Sequence, residues 1–312
     1  MRTYLNNHPS VRKYIFLGIA VLCLFPFISP PLALTLGVIV AQLIGNPYVQ
    51  QSGKLTHILL KVSVVGLGFG MNVNKALETG KTGFLFTVIS VVSVLLLGWL
   101  LGKLLKLDKV TAYLVSAGTA ICGGSAIAAV GPIVKAKETQ MSLALAAVFI
   151  LNSVALIVFP FVGHLLELTQ YQFGMWSAIA IHDTSSVVGA AGKYGDEALE
   201  IATTVKLARA LWIIPLSFVS MFLFNNKEGK IKIPYFIGLF ILAMCLNTYF
   251  PGIRILSPYI VELSKAALTF TLFLIGAGLS LSVLKKVGIR PFIFAVMLWV
   301  FISVSSLLVV IS

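Results

Sequence analysis

Long apolar runs separated by short polar loops fill the whole chain. A helix that crosses a membrane needs about 20 mostly apolar residues, and eleven runs approach or reach that length. The runs are Tyr14 to Ile28, Leu32 to Ile44, Thr56 to Gly70, Gly83 to Leu104, Val110 to Val134, Gln140 to Leu165, Phe173 to Ala191, Ala198 to Phe224, Pro234 to Tyr249, Tyr259 to Leu281 and Pro291 to Ile311. The pattern predicts an all-α polytopic membrane protein with about eleven transmembrane segments. A re-entrant segment among the shorter runs would lower the number of crossings.

Composition excludes a water-soluble particle. The chain is 59% hydrophobic and 11% charged, whereas a soluble domain has about 25% charged residues. We therefore expect residues 1–312 to form a single integral membrane domain, with the first helix (about 14–28) accessory to the rest. The net charge of +13 would suggest a nucleic-acid partner in a soluble chain, but here the basic residues lie mostly in loops, so no such partner is expected.

The loop charges predict an orientation. With a cytoplasmic N-terminus, inside loops carry thirteen Lys and Arg residues and outside loops carry six. This excess predicts a multi-pass protein of the cell (inner) membrane with its N-terminus inside. Arg12-Lys13 before an apolar run is typical of a signal peptide, but no small-residue cleavage site follows, so we expect a retained helix. The three cysteines have no metal-site or disulfide spacing, and no metal or other cofactor is expected.

Two internal echoes suggest inverted repeats. Residues 66–75 resemble residues 276–285, and the segments that they end would run in opposite directions, as an inverted repeat requires. Residues 116–125 resemble residues 177–186. The two echoes do not combine into one tandem repeat, and chance similarity among small and apolar residues stays open as the alternative.

The first candidate site is the run from Cys122 through Gly123 and Gly124 to Ser125. Paired glycines weaken a helix, and non-helical backbone at membrane depth survives only where it lines a cavity or is buried in protein. If the helix breaks here, a half-helix starts near Ser125, and its free N–H groups and positive end would face an anion. The alternative is tight packing of helices through small residues.

The second candidate site surrounds Asp183, an acid inside an apolar segment. His182 precedes it, and the hydroxyls of Thr184 and Ser185 follow it. An intramembrane acid is functional by default, so we expect His182 and Asp183 to bind and release protons and the two hydroxyls to bind substrate. Alternatively, Asp183 neutralises a lysine or caps a half-helix.

The third candidate site is Lys206 and Arg209, three residues apart on one helix face. Both lie deep in their segment, with Thr203 and Thr204 shortly before them, and the arrangement predicts an oxyanion clamp. The alternative is an ion pair with Asp183 or Glu200. Asn152 is a weaker candidate that more often bridges two helices. Signatures of hydrolases, nucleotide-binding enzymes and clustered metal sites are absent from the sequence, so no catalytic residue or enzyme activity is expected.

Together these motifs resemble the YeiH family of sulfate exporters, grouped with the bile acid and arsenite transporter superfamily. The most specific parts are residues 66–71, residues 120–129, Ile181 to Thr184, and Val205 to Arg209. The resemblance covers essentially the whole chain and implies a secondary transporter with inverted repeats and crossed, broken helices. It also implies sulfate as substrate and export as direction.

The sequence thus predicts a secondary active transporter of a small inorganic or sulfur-containing anion such as sulfate or sulfite. We expect the anion, protons as the coupling ion and the lipid bilayer as its partners, and a homo-oligomer stays open. Two alternatives remain. In a cation/proton antiporter, the acid would bind the ion and the cations would be its counter-charges. In an anion channel, flux would not saturate.

Overall fold

The computed structural model describes residues 9–25, 27–226, 235–278 and 288–312. The described residues contain fifteen α-helices, and a single 3-10 turn at Gly68–Gly70 lies between the third and the fourth. In chain order the helices are α1 (Pro9–Leu22), α2 (Pro30–Leu43), α3 (Val49–Leu67), α4 (Val73–Leu104), α5 (Lys109–Ala120), α6 (Gly124–Ile133), α7 (Glu138–Leu165), α8 (Gln170–Ala180), α9 (Thr184–Tyr194), α10 (Asp196–Ala210), α11 (Ile213–Leu223), α12 (Tyr235–Tyr249), α13 (Pro251–Arg254), α14 (Ser257–Gly278) and α15 (Ile289–Ile311).

The chain forms two compact units. The first unit combines Met1–Lys75 with Tyr235–Val283, and the second combines Ala76–Pro234 with Leu284–Ser312. The single transporter domain over residues 1–312 stays a prediction.

Five helical stretches of the described chain are long and apolar enough to cross a membrane. They are Phe84–Leu104, Glu138–Leu165, Asp196–Leu223, Ser257–Gly278 and Ile289–Ile311. The helices α2, α6 and α12 are apolar but shorter. A helical membrane protein is therefore supported, whereas eleven full spans are not confirmed.

In the first unit, α2 and α14 cross with their backbones in close contact. A Cβ atom added to Gly37 would lie 2.8 Å from the backbone nitrogen of Ala277 and would collide with the carbonyl oxygen of Phe273. A Cβ atom on Gly276 would likewise collide with the carbonyl oxygen of Leu34. Small residues at such crossings let helices in a membrane gain van der Waals contact that larger side chains would prevent.

The first sequence echo falls in this unit only in part. A Cβ atom on Gly66 would collide with Ser264 Oγ, so α3 also lies close against α14. The partner run, 276–285, extends into residues 279–287, which lie outside the described residues. The inverted repeat drawn from this echo stays a prediction.

In the second unit, Asp108 begins α5 as its N-cap residue. Its carboxylate accepts hydrogen bonds from the Thr111 backbone N–H and hydroxyl, both at 2.9 Å, and from Gln140 Nε2 at 2.6 Å. Partial burial raises the pKa of Asp108, but these hydrogen bonds and the charge of Lys137 lower it by more, so the pKa lies below its usual value. The bond to Gln140 also ties the start of α5 to the first turn of α7.

An aromatic cluster holds α8 against its neighbours. Trp176 stacks on Phe159 of α7, with ring centroids 4.2 Å apart, and its indole Nε1 donates to the carbonyl of Ser303 in α15 at 2.9 Å. Phe173 stacks on Tyr194 of α9, with centroids 3.9 Å apart. These contacts fix the position of α8 and therefore of the chain break that follows it.

Candidate functional site

The first apolar run that carries a candidate site is broken, as the glycine pair predicts. The helix α5 ends at Ala120, and α6 begins at Gly124. Gly123 has φ +63° and ψ −122°, a conformation that side chains disfavour, which explains why a glycine occupies the break. As the N-cap residue of α6, Gly123 offers no side-chain acceptor, and Ser125 in the first turn is exposed. The N-cap position therefore supplies no side-chain acceptor to the positive end of α6, and the Cys122 thiol instead accepts from the Ala126 backbone N–H.

The second run is broken between α8 and α9. Asp183 is the N-cap residue of α9, and its carboxylate accepts from the Ser186 backbone N–H at 2.7 Å. Its side chain is 7% exposed. The interpretation of Asp183 as a half-helix cap is thus confirmed, and its role in proton coupling stays a prediction. Thr184, the first residue of α9, is half-buried, and Ser185 is buried.

The two breaks touch each other. A Cβ atom added to Gly123 would lie 3.4 Å from Asp183 Cβ and 3.4 Å from the carbonyl carbon of His182. The same atom would lie 3.2 Å from a methyl group of Val148 in α7. Such a contact between breaks is what crossed, discontinuous helices require. The two breaks also correspond to the second sequence echo, although the inverted symmetry itself stays a prediction.

Lys206 binds the end of α8. Its side chain is 0% exposed, and its Nζ donates to the carbonyl oxygens of Ile181 at 2.6 Å and Ala178 at 3.2 Å. The last carbonyls of a helix have no intrahelical partner and form its negative end. Lys206 therefore neutralises the negative end that the break creates.

Arg209 does the same for α5. It is 0% exposed, its Nε donates to the carbonyl oxygen of Ala120 at 2.8 Å, and its Nη1 donates to Ser90 Oγ of α4 at 3.1 Å. One helix, α10, thus supplies a cation to the carboxyl end of each broken helix. The contacts found for Lys206 and Arg209 are to protein groups, and their role as an anion clamp stays a prediction.

The charges in this core do not balance. Among the described residues, the buried Asp, Glu, Lys and Arg side chains are Asp183, Lys206 and Arg209. Two cations and one acid give 2 − 1 = +1 when all three are ionised and His182 is neutral. The two positive and two negative half-helix ends cancel one another. The core at the two breaks is therefore formally positive.

Comparison with known proteins places the chain among membrane proteins. The family model described as conserved hypothetical protein 698 matches residues 16–295. The chain belongs to this family. A relative in Bacteroides thetaiotaomicron, named UPF0324 membrane protein, is 56% identical over 283 residues, covering 90% of this chain and 86% of its own. UPF0324 membrane proteins of Bdellovibrio bacteriovorus and Geobacter sulfurreducens are 48% and 46% identical, covering 96% of this chain in each case and 94% and 97% of their own. No solved structure matches.

Asn152 and Ser90 support the site in this UPF0324 family member. Asn152 Oδ1 accepts the backbone N–H of His182 at 3.0 Å, so the interpretation of Asn152 as a bridge between helices is confirmed. Ser90 was not anticipated, because a serine in an apolar run is ordinary and its partner lies 119 residues away. Only the three-dimensional approach of α4 to α10 reveals its bond to Arg209.

A separate cavity of about 390 Å³ adjoins α10 and α11. Its lining contains no charged side chain and consists of Phe84, Thr87, Val205, Ala208, Leu211, Trp212 and Pro215. The cavity offers no ionic contact, so we do not place an anion there.

Proposed function

We propose that this family member is a secondary active transporter of a small inorganic or sulfur-containing anion, coupled to protons. The net charge of +1 at the junction of the two breaks carries this proposal. An unbalanced charge in a low-dielectric interior is costly, and a bound monovalent anion, or a divalent anion together with one proton, removes the imbalance. A cation would increase it.

The backbone around the first break suits an anion. The first N–H groups of α6, around Gly124 and Ser125, have no partner in the preceding turn of a helix, and the dipole of α6 favours negative charge there. Thr184 and Ser185 carry hydroxyls at the second break, which touches the first, and the Ser185 hydroxyl would exchange its bond to Asp183 for one to the anion. Cys122 and Gly123 complete the unwound backbone. Lys206 and Arg209 supply the positive field from the side of α10.

Proton coupling follows from the same charge balance. An anion and the Asp183 carboxylate repel each other when both are charged in a dry cavity. Protonating Asp183 raises the net charge from +1 to +2, so a divalent anion bound together with one proton leaves the core neutral. Charging His182 has the same sign of effect. Anion affinity should therefore rise as pH falls.

The remaining features of the proposal come from sequence. The resemblance to the YeiH family supports sulfate or sulfite as substrate and export as direction. The excess of Lys and Arg in alternate loops supports an inner-membrane location with a cytoplasmic N-terminus. We propose a carrier without catalytic chemistry, whose partners are the anion, protons and the bilayer.

The buried carboxylate of Asp183 favours a second candidate, a cation/proton antiporter. In that case Asp183 would bind the cation and Lys206 would be its counter-charge. The two buried cations oppose this candidate. A bound cation would be a third positive charge, and one carboxylate cannot balance three positive charges.

Purified protein in detergent and in proteoliposomes tests the proposal. A thermal-shift screen compares sulfate, sulfite, thiosulfate, sulfonates, phosphate and chloride at equal ionic strength, since a true ligand stabilises by mass action. Proteoliposomes then report accumulation of radiolabelled sulfate under an imposed pH gradient. Saturable, gradient-driven accumulation supports the carrier, and non-saturating flux indicates a channel. Proton release that depends on Na⁺ or K⁺, without any anion effect, would overturn the proposal in favour of the antiporter.

A further inference from the structure

Five buried side chains around the two breaks retain hydrogen-bonding atoms that are unpartnered among the described residues. The atoms are Thr119 Oγ1, Asn152 Nδ2, both ring nitrogens of His182, Thr203 Oγ1 and Arg209 Nη2. These side chains are 0–1% exposed. A polar atom buried without a partner is costly, especially at membrane depth, so this cluster calls for a ligand.

The unpartnered atoms share one chemical property. A guanidinium nitrogen and an amide nitrogen can only donate hydrogen bonds, a hydroxyl can donate one, and a neutral imidazole has one donor. Each of the five side chains therefore has a donor to offer, although one His182 nitrogen and the hydroxyl oxygens can also accept, and Arg209 adds positive charge. The complementary ligand accepts at several points and carries negative charge.

Three of these donors are linked through α10. Arg209 Nε binds the carbonyl of Ala120, and Thr119 directly precedes Ala120. Thr203 and Lys206 are three residues apart, as are Lys206 and Arg209, so Lys206 is a neighbour of both on the surface of α10. The donors of Thr119 and Arg209 thus lie at the hydrogen bond that joins α10 to the end of α5, and Thr203 lies six residues before Arg209 on α10.

The other two donors join the same assembly at the second break. Lys206 Nζ binds the carbonyl of Ile181, and His182 directly follows Ile181. Asn152 Oδ1 accepts the His182 backbone N–H at 3.0 Å, which leaves Asn152 Nδ2 beside the break as a donor.

We propose that Thr119, Asn152, His182, Thr203 and Arg209 form a buried binding site for an oxyanion. The inference rests on the proposed anion transport and adds the site in which the anion is held away from water. In this proposal the start of α6 at Ser125 is an exposed anion position, and the buried donors form an occluded one. An oxyanion presents acceptors at several positions, whereas a halide is a single acceptor centre, so the site favours sulfate, sulfite or thiosulfate over chloride.

Removing single hydroxyls tests the site. Thr119→Val and Thr203→Val keep the side-chain shape and delete one donor each. Affinity for the sulfur oxyanion identified with the wild-type protein is measured by calorimetric titration in detergent. A hydrogen bond to a charged group predicts a loss of about tenfold or more for each variant. Thr203→Ser keeps the hydroxyl and should restore most of the affinity.

Ser303→Ala is the matched control. Its hydroxyl is also unpartnered among the described residues, but Ser303 lies on α15, which is part of neither break and is not the helix that carries the two cations. Oxyanion affinity in this variant should stay within about twofold of the wild type, since its removed hydroxyl touches no proposed ligand. Full oxyanion affinity in both folded Thr→Val variants overturns the buried site and leaves anion transport standing. A wild-type protein that binds none of the anions overturns both proposals.

Discussion

Replacing Lys206 with methionine tests whether the cation holds the end of α8. Methionine has similar length and helix propensity, so the change removes the ammonium group with little effect on packing. It deletes the two hydrogen bonds from Nζ, at 2.6 Å and 3.2 Å, and leaves the carbonyls of Ile181 and Ala178 buried without that donor.

The expected loss of stability follows from those two contacts. Each hydrogen bond from a charged group contributes about 1.5–3 kcal/mol, so the pair contributes about 3–6 kcal/mol. Methionine has no charge to desolvate, which offsets part of that loss. We expect the free energy of unfolding of Lys206→Met to fall by about 3 kcal/mol, at the lower end of the range for removing one partner of a buried ionic contact.

The assay is reversible unfolding in mixed micelles, in which the fraction of denaturing detergent is increased and helicity is followed by circular dichroism. Lys193→Met is the control, because Lys193 is an exposed lysine in the last turn of α9. Its effect should stay within about 0.5 kcal/mol. Equal stabilities for the two variants would refute the reasoning, since the carboxyl end of α8 would then not depend on Lys206.

Three further predictions concern coupling, packing and capping. Asp183→Asn mimics the protonated acid. The variant should bind the anion with a flatter pH dependence, and proteoliposomes containing it should not accumulate the anion under a pH gradient. Continued accumulation would exclude Asp183 as the coupling residue. Gly37→Leu should lower the free energy of unfolding by about 3 kcal/mol or more, because its side chain meets backbone of α14. Gly53→Ala has nothing within 4 Å of the added methyl group and should raise the free energy of unfolding by up to about 1 kcal/mol. If unfolding titrations showed that both glycine variants change the free energy of unfolding in the same direction, the packing argument would be contradicted. Asp108→Ala should cost about 1 kcal/mol at neutral pH. Because folding lowers the pKa of Asp108, its contribution is present above the unfolded-state pKa and disappears as the pH falls below about 4, so an undiminished difference at pH 2 would be inconsistent with it.

Local sequence was sufficient to locate the first break. Gly123 and Gly124 weaken a helix wherever they occur in it, and the positive φ of Gly123 is a property of the residue as much as of the fold. The second break has no glycine pair, and its signal was Asp183, a residue type that caps helices. Helix ends were less predictable. The helix α1 begins at Pro9 rather than Tyr14, because a helix can extend through polar residues that precede its apolar run.

The hydrogen-bond partners of Lys206 and Arg209 could not be predicted from the sequence. The spacing of Lys206 and Arg209 placed them on one helix face, but periodicity does not reveal what lies opposite that face. Their partners are the carbonyls of Ile181 and Ala120, and a backbone carbonyl looks the same at every position of a sequence. The unpartnered hydroxyl of Thr119 was hidden for the same reason, since a threonine in a helix ordinarily bonds within its own turn.

The two cations of α10 also connect the two breaks through less than one turn of helix. Lys206 and Arg209 lie about 4.5 Å apart along the helix axis. Changing that separation would require unwinding the turn between them and losing its hydrogen bonds. The helix is therefore a rigid link between the two breaks. A displacement that strains the contact of Lys206 with α8 should also strain the contact of Arg209 with α5. Switching of the two breaks should be concerted, and single-molecule recordings with a reporter at each break should show two signal levels rather than three.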